Sequence, residues 1–133
     1  MNSEDFIGSV AKRARTSAEQ AADITRATLT TLAERIDGGE ARDLADQLPE
    51  DLRGYAFAAT ETAEKFGRDV FVERVSGRAG VDVPLAEAGV RAVFDTLREA
   101  VTPGQYSDAV AQLPSKLWDL VNPSAPYVER SSG

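Results

Sequence analysis

Apolar side chains recur along the start of the chain at spacings of three and four residues, the period of an amphipathic helix. The first segment of this kind, about residues 3 to 15, places Phe6, Val10 and Ala14 on one face. A longer segment follows from Ser17, where the sequence Ser-x-x-Gln can form a capping box. The pattern therefore predicts a short helix followed by a long one.

Two further helices are predicted after a glycine-rich turn. The segment Asp37-Gly38-Gly39 is predicted to end the second helix, because glycine readily adopts the left-handed conformation that many helix ends require. Ala41, Leu44 and Leu48 then mark the apolar face of a third helix. Pro49 interrupts that helix and is predicted to open a short fourth one.

The same succession of segments occurs twice. Residues 71–120 repeat residues 6–55 at a constant offset of 65 without a gap, and 16 of the 50 aligned pairs are identical. Most identical pairs are apolar or are glycine or proline, as expected where two copies share a packed shape. The matched pairs include Phe6 with Phe71, Leu32 with Leu97, and Gln47-Leu48-Pro49 with Gln112-Leu113-Pro114. The duplication predicts an all-α fold made of two tandem four-helix repeats related by pseudo-symmetry.

The boundaries of the repeats follow from this alignment. Repeat 1 covers about residues 3 to 57 and repeat 2 about residues 68 to 121. Residues 54 to 67, which join the two copies, contain Tyr55, Phe57 and Phe66 and are too apolar for a free linker, so residues 1 to 121 are predicted to share one core. Residues 122 to 133 are rich in serine and proline, which predicts a flexible tail.

The duplicated pattern includes Phe-x3-Val, a long helix ending in Leu-x2-Leu, and Gly-Gly-Glu-Ala-Arg-Asp-Leu-Ala-Asp-Gln-Leu-Pro at residues 38 to 49. This pattern resembles the bacterial family catalogued as domain of unknown function 2267, over about residues 4 to 121. Repeat 2 departs from it at Thr102-Pro103-Gly104-Gln105. The resemblance implies a duplicated all-helical domain with a globin-like arrangement of helices. It implies no activity, catalytic residue or cofactor.

The composition removes several classes of function. The chain has no cysteine and no histidine, so it lacks thiol chemistry, the usual general base and the commonest haem and transition-metal ligand. Its net charge of −7 repels phosphate backbones and anionic lipid. The N-terminus lacks the features of a signal peptide, and no apolar run approaches the roughly 18 residues of a membrane span. We expect a cytoplasmic protein that is not an enzyme, holds no cofactor or metal, and binds neither nucleic acid nor membrane.

The densest charge in the sequence is acidic. Between residues 34 and 51 there are seven carboxylates and two arginines. An EF-hand loop beginning at Asp37 is excluded, because its twelfth position, which requires glutamate, is Leu48. A solvated face and a surface for a basic protein partner remain open. The candidate interaction residues are Glu40, Asp43, Asp46 and Glu50, together with Trp118 in the last helix.

Three other features each allow a structural and a functional interpretation. Thr25 and Thr28 lie on the apolar stripe of the second helix, either bonded back to the helix or serving as polar handles for an apolar ligand. Trp118 is either a core or half-exposed wedge or a hot spot for a partner. The basic residues at the end of the first helix, Lys12, Arg13 and Arg15, are either solvated side chains that complement the helix dipole or a small functional patch.

These observations favour a non-enzymatic interaction or accessory module that uses its acidic surface. The alternative is a carrier or sensor that encloses a small apolar ligand between the two repeats, with Thr25 and Thr28 as polar contacts. Salt-sensitive capture of a basic protein would favour the first function. Co-purification of an apolar molecule would favour the second.

Overall fold

All regular structure in the described part of the chain is helical. The structure is a computed structural model, and it describes residues 1–57 and 60–121. Within those residues there is no strand, and the helices in chain order are α1 (Ser3–Ala14), α2 (Ala18–Arg35), α3 (Gly38–Gln47), a 3₁₀ helix (Glu50–Ala56), α4 (Arg68–Ala79), α5 (Val83–Ala100), α6 (Pro103–Ala111), a second 3₁₀ helix (Ser115–Leu117) and α7 (Trp118–Val121). The predicted all-α fold is confirmed. The tail predicted for residues 122 to 133 lies outside the described residues.

Side-chain caps fix where the helices begin. As predicted, Ser17 caps α2, and its hydroxyl accepts a hydrogen bond from the Gln20 backbone N–H at 3.1 Å. Four other helices have a cap of the same kind, in which a side-chain oxygen accepts from the N–H three residues later: Asn2 for α1, Asp37 for α3, Asp82 for α5 and Thr102 for α6. Each cap satisfies one of the backbone donors that a helix start leaves without an intrahelical partner.

The glycine-rich turn does not end α2 in the way the sequence suggested. Helix α2 ends at Arg35 and is followed by Ile36, which is extended, and Gly38 already belongs to the first turn of α3. Asp37 has the extended backbone conformation that capping α3 requires. The preceding helix therefore ends without any residue in the left-handed conformation. Among the described residues, positive φ angles occur only at Arg15 and Gly80, directly after α1 and α4. The prediction of a left-handed glycine at this turn was therefore wrong.

The two long helices, α2 and α5, lie at the centre of the core. Helix α1 packs mainly on α5 and helix α4 mainly on α2, so each short helix covers the long helix of the other repeat. Phe6 and Phe71 are fully buried, and the Phe71 ring lies 6.4 Å from that of Phe94. Because the first helix of each repeat packs on the long helix of the other, the two repeats share one apolar interior.

The helix boundaries follow the sequence repeat. Helices α4 and α5 begin and end 65 residues after α1 and α2, and α6 begins 65 residues after α3. Matched residues also meet each other. A Cβ atom added to Gly89 would lie 2.4 Å from Cγ2 of Ile24, its counterpart in repeat 1. Two matched residues can touch only near the axis that relates their repeats, as in a twofold dimer. The superposition of the halves and the globin-like arrangement stay predictions.

Polar contacts between the repeats are reciprocal. Arg13 at the end of α1 donates to the Thr96 hydroxyl at 2.9 Å and forms an ion pair with Glu99 at 2.7 Å. Thr96 is fully buried and donates to the carbonyl of Ala92. Arg13 was interpreted from the sequence as a solvated side chain, and the structure shows it as exposed but bonded to partners on α5 that the sequence did not indicate. Its side chain reaches α5 because α1 packs there, which the helix pattern alone did not reveal.

The matched residues make the same contacts in the opposite direction. Arg78 donates to the Thr31 hydroxyl at 2.9 Å and to both oxygens of Glu34 at 2.8 Å. Arg74 adds a further bond to Glu34 at 2.9 Å. The positions of Arg78, Thr31 and Glu34 carry the same residue types in the other repeat, where they are Arg13, Thr96 and Glu99. These matching contacts between the repeats explain why the residue types are the same at the three paired positions.

The glutamine of the repeated Gln-Leu-Pro has a similar role. The Oε1 atom of Gln112 accepts from the backbone N–H of Asp37 at 2.8 Å, and Oε1 of Gln47 accepts from that of Thr102 at 2.7 Å. Each glutamine thus satisfies a backbone donor at the helix cap of the other repeat. An apolar substitute would leave that N–H without its protein partner.

We expect Leu32→Ala and Leu97→Ala each to lower the free energy of unfolding by about 2 to 5 kcal/mol, because both side chains are removed from the packed interior. Both leucines are only 1% exposed. Denaturant unfolding gives the measurement, and Leu85→Ala, at a partly buried site on α5, is the control with a smaller expected loss. A loss below about 0.5 kcal/mol at either core site would show that its helix face is not in the core.

The clamp on Glu34 predicts a defined pH dependence. Burial alone would raise the pKa of Glu34, but hydrogen bonds and charges from Arg78 and Arg74 outweigh it and lower this pKa. A carboxylate with a depressed folded-state pKa stabilises the fold above its unfolded pKa and loses that contribution as pH falls through the folded value.

We therefore expect Glu34→Gln to be less stable than the wild type by roughly 1 to 2 kcal/mol at pH 7. This difference should shrink as the pH falls below the ordinary pKa of glutamate and through the lowered pKa of Glu34, where the wild-type carboxyl becomes protonated. Denaturant unfolding across this pH range tests it, with Glu73→Gln on the exposed side of α4 as the matched control. A difference that is independent of pH would contradict the assigned charge clamp.

Candidate functional site

The acidic surface is formed where α3 meets α6. Ala41 and Leu44 are buried at 0% and 1% exposure and fix the inner face of α3. Glu40 and Asp43 therefore project from the remaining faces, Asp43 into solvent and Glu40 into a partly buried position. The apolar stripe of α3 was sufficient to predict the inner face of the helix and the exposure of Asp43. It did not predict that Glu40 is partly buried.

Glu40 lies at the centre of the surface, opposite its counterpart in repeat 2. The side-chain amide of Gln105 donates a hydrogen bond to Oε2 of Glu40. Burial raises the pKa of Glu40, the Gln105 bond opposes this, and the charges of Asp108, Asp37 and Asp43 raise the pKa further. The net shift is upward. We call these four carboxylates, Asp37, Glu40, Asp43 and Asp108, the acidic surface.

Part of this charge is offset by one arginine. Arg42 of α3 forms an ion pair with Glu61 of the connection at 2.6 Å, and both side chains are well exposed. The charges of Asp43 and Asp37 also act on Arg42 and help to raise its pKa, after the larger effect of Glu61. Since Glu61 already pairs with the arginine, four carboxylates at the α3–α6 junction remain with little positive charge beside them.

The other predicted interaction residues are not gathered at this junction. Asp46 is exposed on α3, one turn after Asp43. Glu50 opens the first 3₁₀ helix and lines a separate polar cleft of about 440 Å³ beside the N-terminus. Trp118 is 50% exposed at the start of α7. Among the described contacts, none joins Asp46, Glu50 or Trp118 to Glu40, so a shared site for all five stays a prediction.

One carboxylate of the surface, Asp108 of α6, was missed by the sequence reasoning. Asp37 was counted among the seven carboxylates of residues 34 to 51, but not among the candidate interaction residues. A signal was available, because Asp108 matches Asp43 and is identical to it across the repeat. An identical polar pair outside the core marks either a structural contact or a common surface. Here α3 and α6 pack on each other, which brings both aspartates near Glu40.

The two threonines proposed as ligand handles differ from each other. The Thr25 hydroxyl donates to the carbonyl of Ala21 at 2.7 Å, which is the back-bonded arrangement. Thr28 is also fully buried, yet its hydroxyl has no hydrogen-bond partner within the described part of the chain. Its counterpart in repeat 2 is Val93, which is apolar and buried. Thr25 is thus accounted for by the helix, whereas the Thr28 hydroxyl is not.

Two classes of site are absent from residues 1–57 and 60–121. In that part of the chain, three or more acidic side chains do not come together in a group able to hold a metal ion. The helices there also lack the combined length and apolarity needed to cross a membrane.

Comparison with known proteins gives a family but no activity. A search of curated proteins found no match to the chain. The model of one family, described as an uncharacterized conserved protein, matches residues 3–120, which is nearly the whole chain. This match confirms the resemblance inferred from the repeated sequence. The chain therefore belongs to the family DUF2267.

Proposed function

We propose that this protein is a non-enzymatic interaction module whose acidic surface binds a basic protein partner in the cytoplasm. The observation that carries the proposal is the convergence of four carboxylates at the α3–α6 junction, with Glu40 held among the other three. Like charges so placed repel one another, and a lysine or arginine of a partner would relieve that repulsion. Electrostatic complementarity of this kind increases association rates and selects partners.

The pKa of Glu40 supplies a thermodynamic reason for such binding. Its upward shift means that the ionised form is disfavoured in the free protein. A cationic partner would favour the ionised form and lower the pKa again. Binding is then linked to proton release, so affinity should rise with pH through the range between the two pKa values.

The composition supports this class of function over an enzymatic one. With neither histidine nor cysteine in the sequence, acid–base or nucleophilic chemistry would depend on carboxylates, tyrosine, lysine or hydroxyl groups. The net charge of −7 also opposes binding to nucleic acid or anionic lipid. A basic protein is the partner class that the same charge attracts.

The alternative function, a carrier of a small apolar ligand, is favoured by one observation. The fully buried Thr28 hydroxyl has no partner within the described residues, and a bound ligand could accept its hydrogen bond. An apolar molecule that co-purifies with the wild type but not with Thr28→Val would support the carrier. The acidic surface would then be a solvated face.

The interaction proposal is tested by the triple variant Glu40→Gln, Asp43→Asn and Asp46→Asn, which neutralises two carboxylates of the acidic surface and Asp46, one turn further along α3. We expect its thermal midpoint to equal or exceed that of the wild type, because mutual repulsion is removed and the amide oxygen introduced by Glu40→Gln can still accept from Gln105. Capture of basic proteins by the immobilised chain should fall, most steeply at low salt, where screening is weakest.

The matched control is Glu4→Gln, Glu19→Gln and Glu73→Gln, which removes the same number of charges from exposed sites on α1, α2 and α4. This control should capture the same basic proteins as the wild type. If the α3 variant captures an unchanged set, the acidic surface is not the binding site. A collapsed melt would instead show that these carboxylates stabilise the fold.

A further inference from the structure

The polar cleft beside the N-terminus has an occupied counterpart in the other repeat. We call this cleft of about 440 Å³ the N-terminal cleft. It is lined by the first residues of the chain, by the Gln-Leu-Pro segment of repeat 1 with the start of the 3₁₀ helix, and by Ala100, the last residue of α5. At the repeat offset of 65, Ala100 corresponds to Arg35, the last residue of α2. The same position therefore carries a methyl group at the cleft and a long cationic side chain in its counterpart.

In that counterpart, which we call the occupied site, Arg35 binds two backbone carbonyl groups. Its Nε donates to the Phe66 carbonyl at 2.8 Å, and its Nη1 donates to the Gln112 carbonyl at 2.9 Å. Its guanidinium carbon lies 6.0 Å from the centroid of the Phe66 ring. Arg35 is only 8% exposed, and in the described part of the chain no carboxylate forms an ion pair with it. The occupied site therefore holds a guanidinium group by carbonyl acceptors and a ring.

The first of these acceptors has a counterpart at the N-terminal cleft. Phe66 corresponds to Met1, and each lies two residues before the start of a helix. The next residue has nearly the same backbone conformation in both places, with φ −92° and ψ −169° at Gly67 and φ −94° and ψ 175° at Asn2. The Met1 carbonyl therefore corresponds in position to the Phe66 carbonyl that Arg35 binds.

The second acceptor is likewise repeated. Gln112 corresponds to Gln47, and the side chain of each accepts from a backbone N–H at the helix cap of the other repeat, at 2.8 and 2.7 Å. The prolines that follow also agree, with φ −63° and ψ 142° at Pro114 and φ −51° and ψ 141° at Pro49. The N-terminal cleft thus has the backbone frame of the occupied site without its arginine.

The charged side chains differ between the two places. Asp51 of the cleft corresponds to Lys116, and Glu50 adds a second carboxylate, so both changes favour a cation. Arg53 and the ammonium group of Met1 belong to the same lining and oppose them. Because the occupied site holds Arg35 without a carboxylate partner, the carbonyl acceptors decide recognition more than net charge does.

We infer that the N-terminal cleft binds the side chain of an arginine supplied by a partner protein. The guanidinium group donates to the carbonyls of Met1 and Gln47, in the manner of Arg35 in the occupied site. Its planar, rigid set of N–H donors suits two acceptors at fixed positions, whereas a lysine ammonium group is a point charge without that geometry. The cleft is separate from the acidic surface, so this inference does not depend on the interaction proposal.

The test is an NMR titration of the full chain with a capped glycine pentapeptide that has arginine at its centre. The same peptide with a central lysine is the control of equal charge, and sodium chloride keeps the ionic strength constant. We expect saturable shifts of the backbone amides of Gln47, Asp51 and Ala100 with the arginine peptide. The lysine peptide should bind more weakly by roughly tenfold, because it cannot satisfy both carbonyls in the same way.

Two variants exchange the states of the two places. Ala100→Arg supplies the cleft with the residue of the occupied site and should abolish saturable binding, whereas Ala100→Ser should bind as the wild type does. The thermal midpoint of Ala100→Arg should not fall, because a cation at the end of α5 complements the helix dipole. Arg35→Ala vacates the occupied site and should give the arginine peptide a second set of shifts, at Gly67 and Gln112.

Four results would overturn the inference. The wild type shows no saturable shifts with the arginine peptide, or it binds the lysine peptide equally well, which indicates general attraction to an acidic protein. Ala100→Arg binds as Ala100→Ser does, or a folded Arg35→Ala gains no second set of shifts. Thermal melts establish that each variant is folded. If either variant does not fold, the two peptides on the wild type still decide the question.

Discussion

The close approach of the two long helices at Ile24 and Gly89 is the constraint on which the rest of this structure depends. These residues occupy the same position in the two repeats and lie against each other. In a strictly symmetric pair, two isoleucines would collide there and two glycines would leave a gap. One large and one absent side chain allow α2 and α5 to approach closely. That distance brings α1 onto α5 and α4 onto α2.

The same relation explains the polar contacts and the candidate sites. Because α1 packs on α5 and α4 packs on α2, Arg13 contacts Thr96 and Arg78 contacts Thr31. At the α3–α6 junction, Glu40 contacts Gln105, its counterpart in repeat 2. The pair therefore carries one negative charge, whereas two glutamates at these positions would repel each other. Residues at the contact between α3 and α6 are free to differ because duplication within a single chain does not require identical residues. The surface proposed to bind a partner lies at this contact.

Helix positions and the inner face of α3 were predictable from the sequence, because the spacing of Ala41, Leu44 and Leu48 depends only on local geometry. The packing of each first helix on the long helix of the other repeat was not predictable, since apolar periodicity does not indicate which neighbour covers a face. Arg13 illustrates this limit, because its bonding partners Thr96 and Glu99 lie more than eighty residues away in the sequence. Two of the four carboxylates of the acidic surface, Glu40 and Asp43, were predicted from the sequence. Asp43 follows from the position of the apolar stripe of α3, whereas Asp108 joins the surface only through tertiary packing.

The most direct test of the central pairing exchanges the two side chains, as Ile24→Gly, Gly89→Ile and the double variant. Each single change should destabilise the protein by roughly 2 kcal/mol or more, through a cavity in one case and overpacking in the other. If the positions face each other across the axis, the double variant should be more stable than the sum of the single losses by more than about 1 kcal/mol in denaturant unfolding. Strictly additive losses would contradict the account.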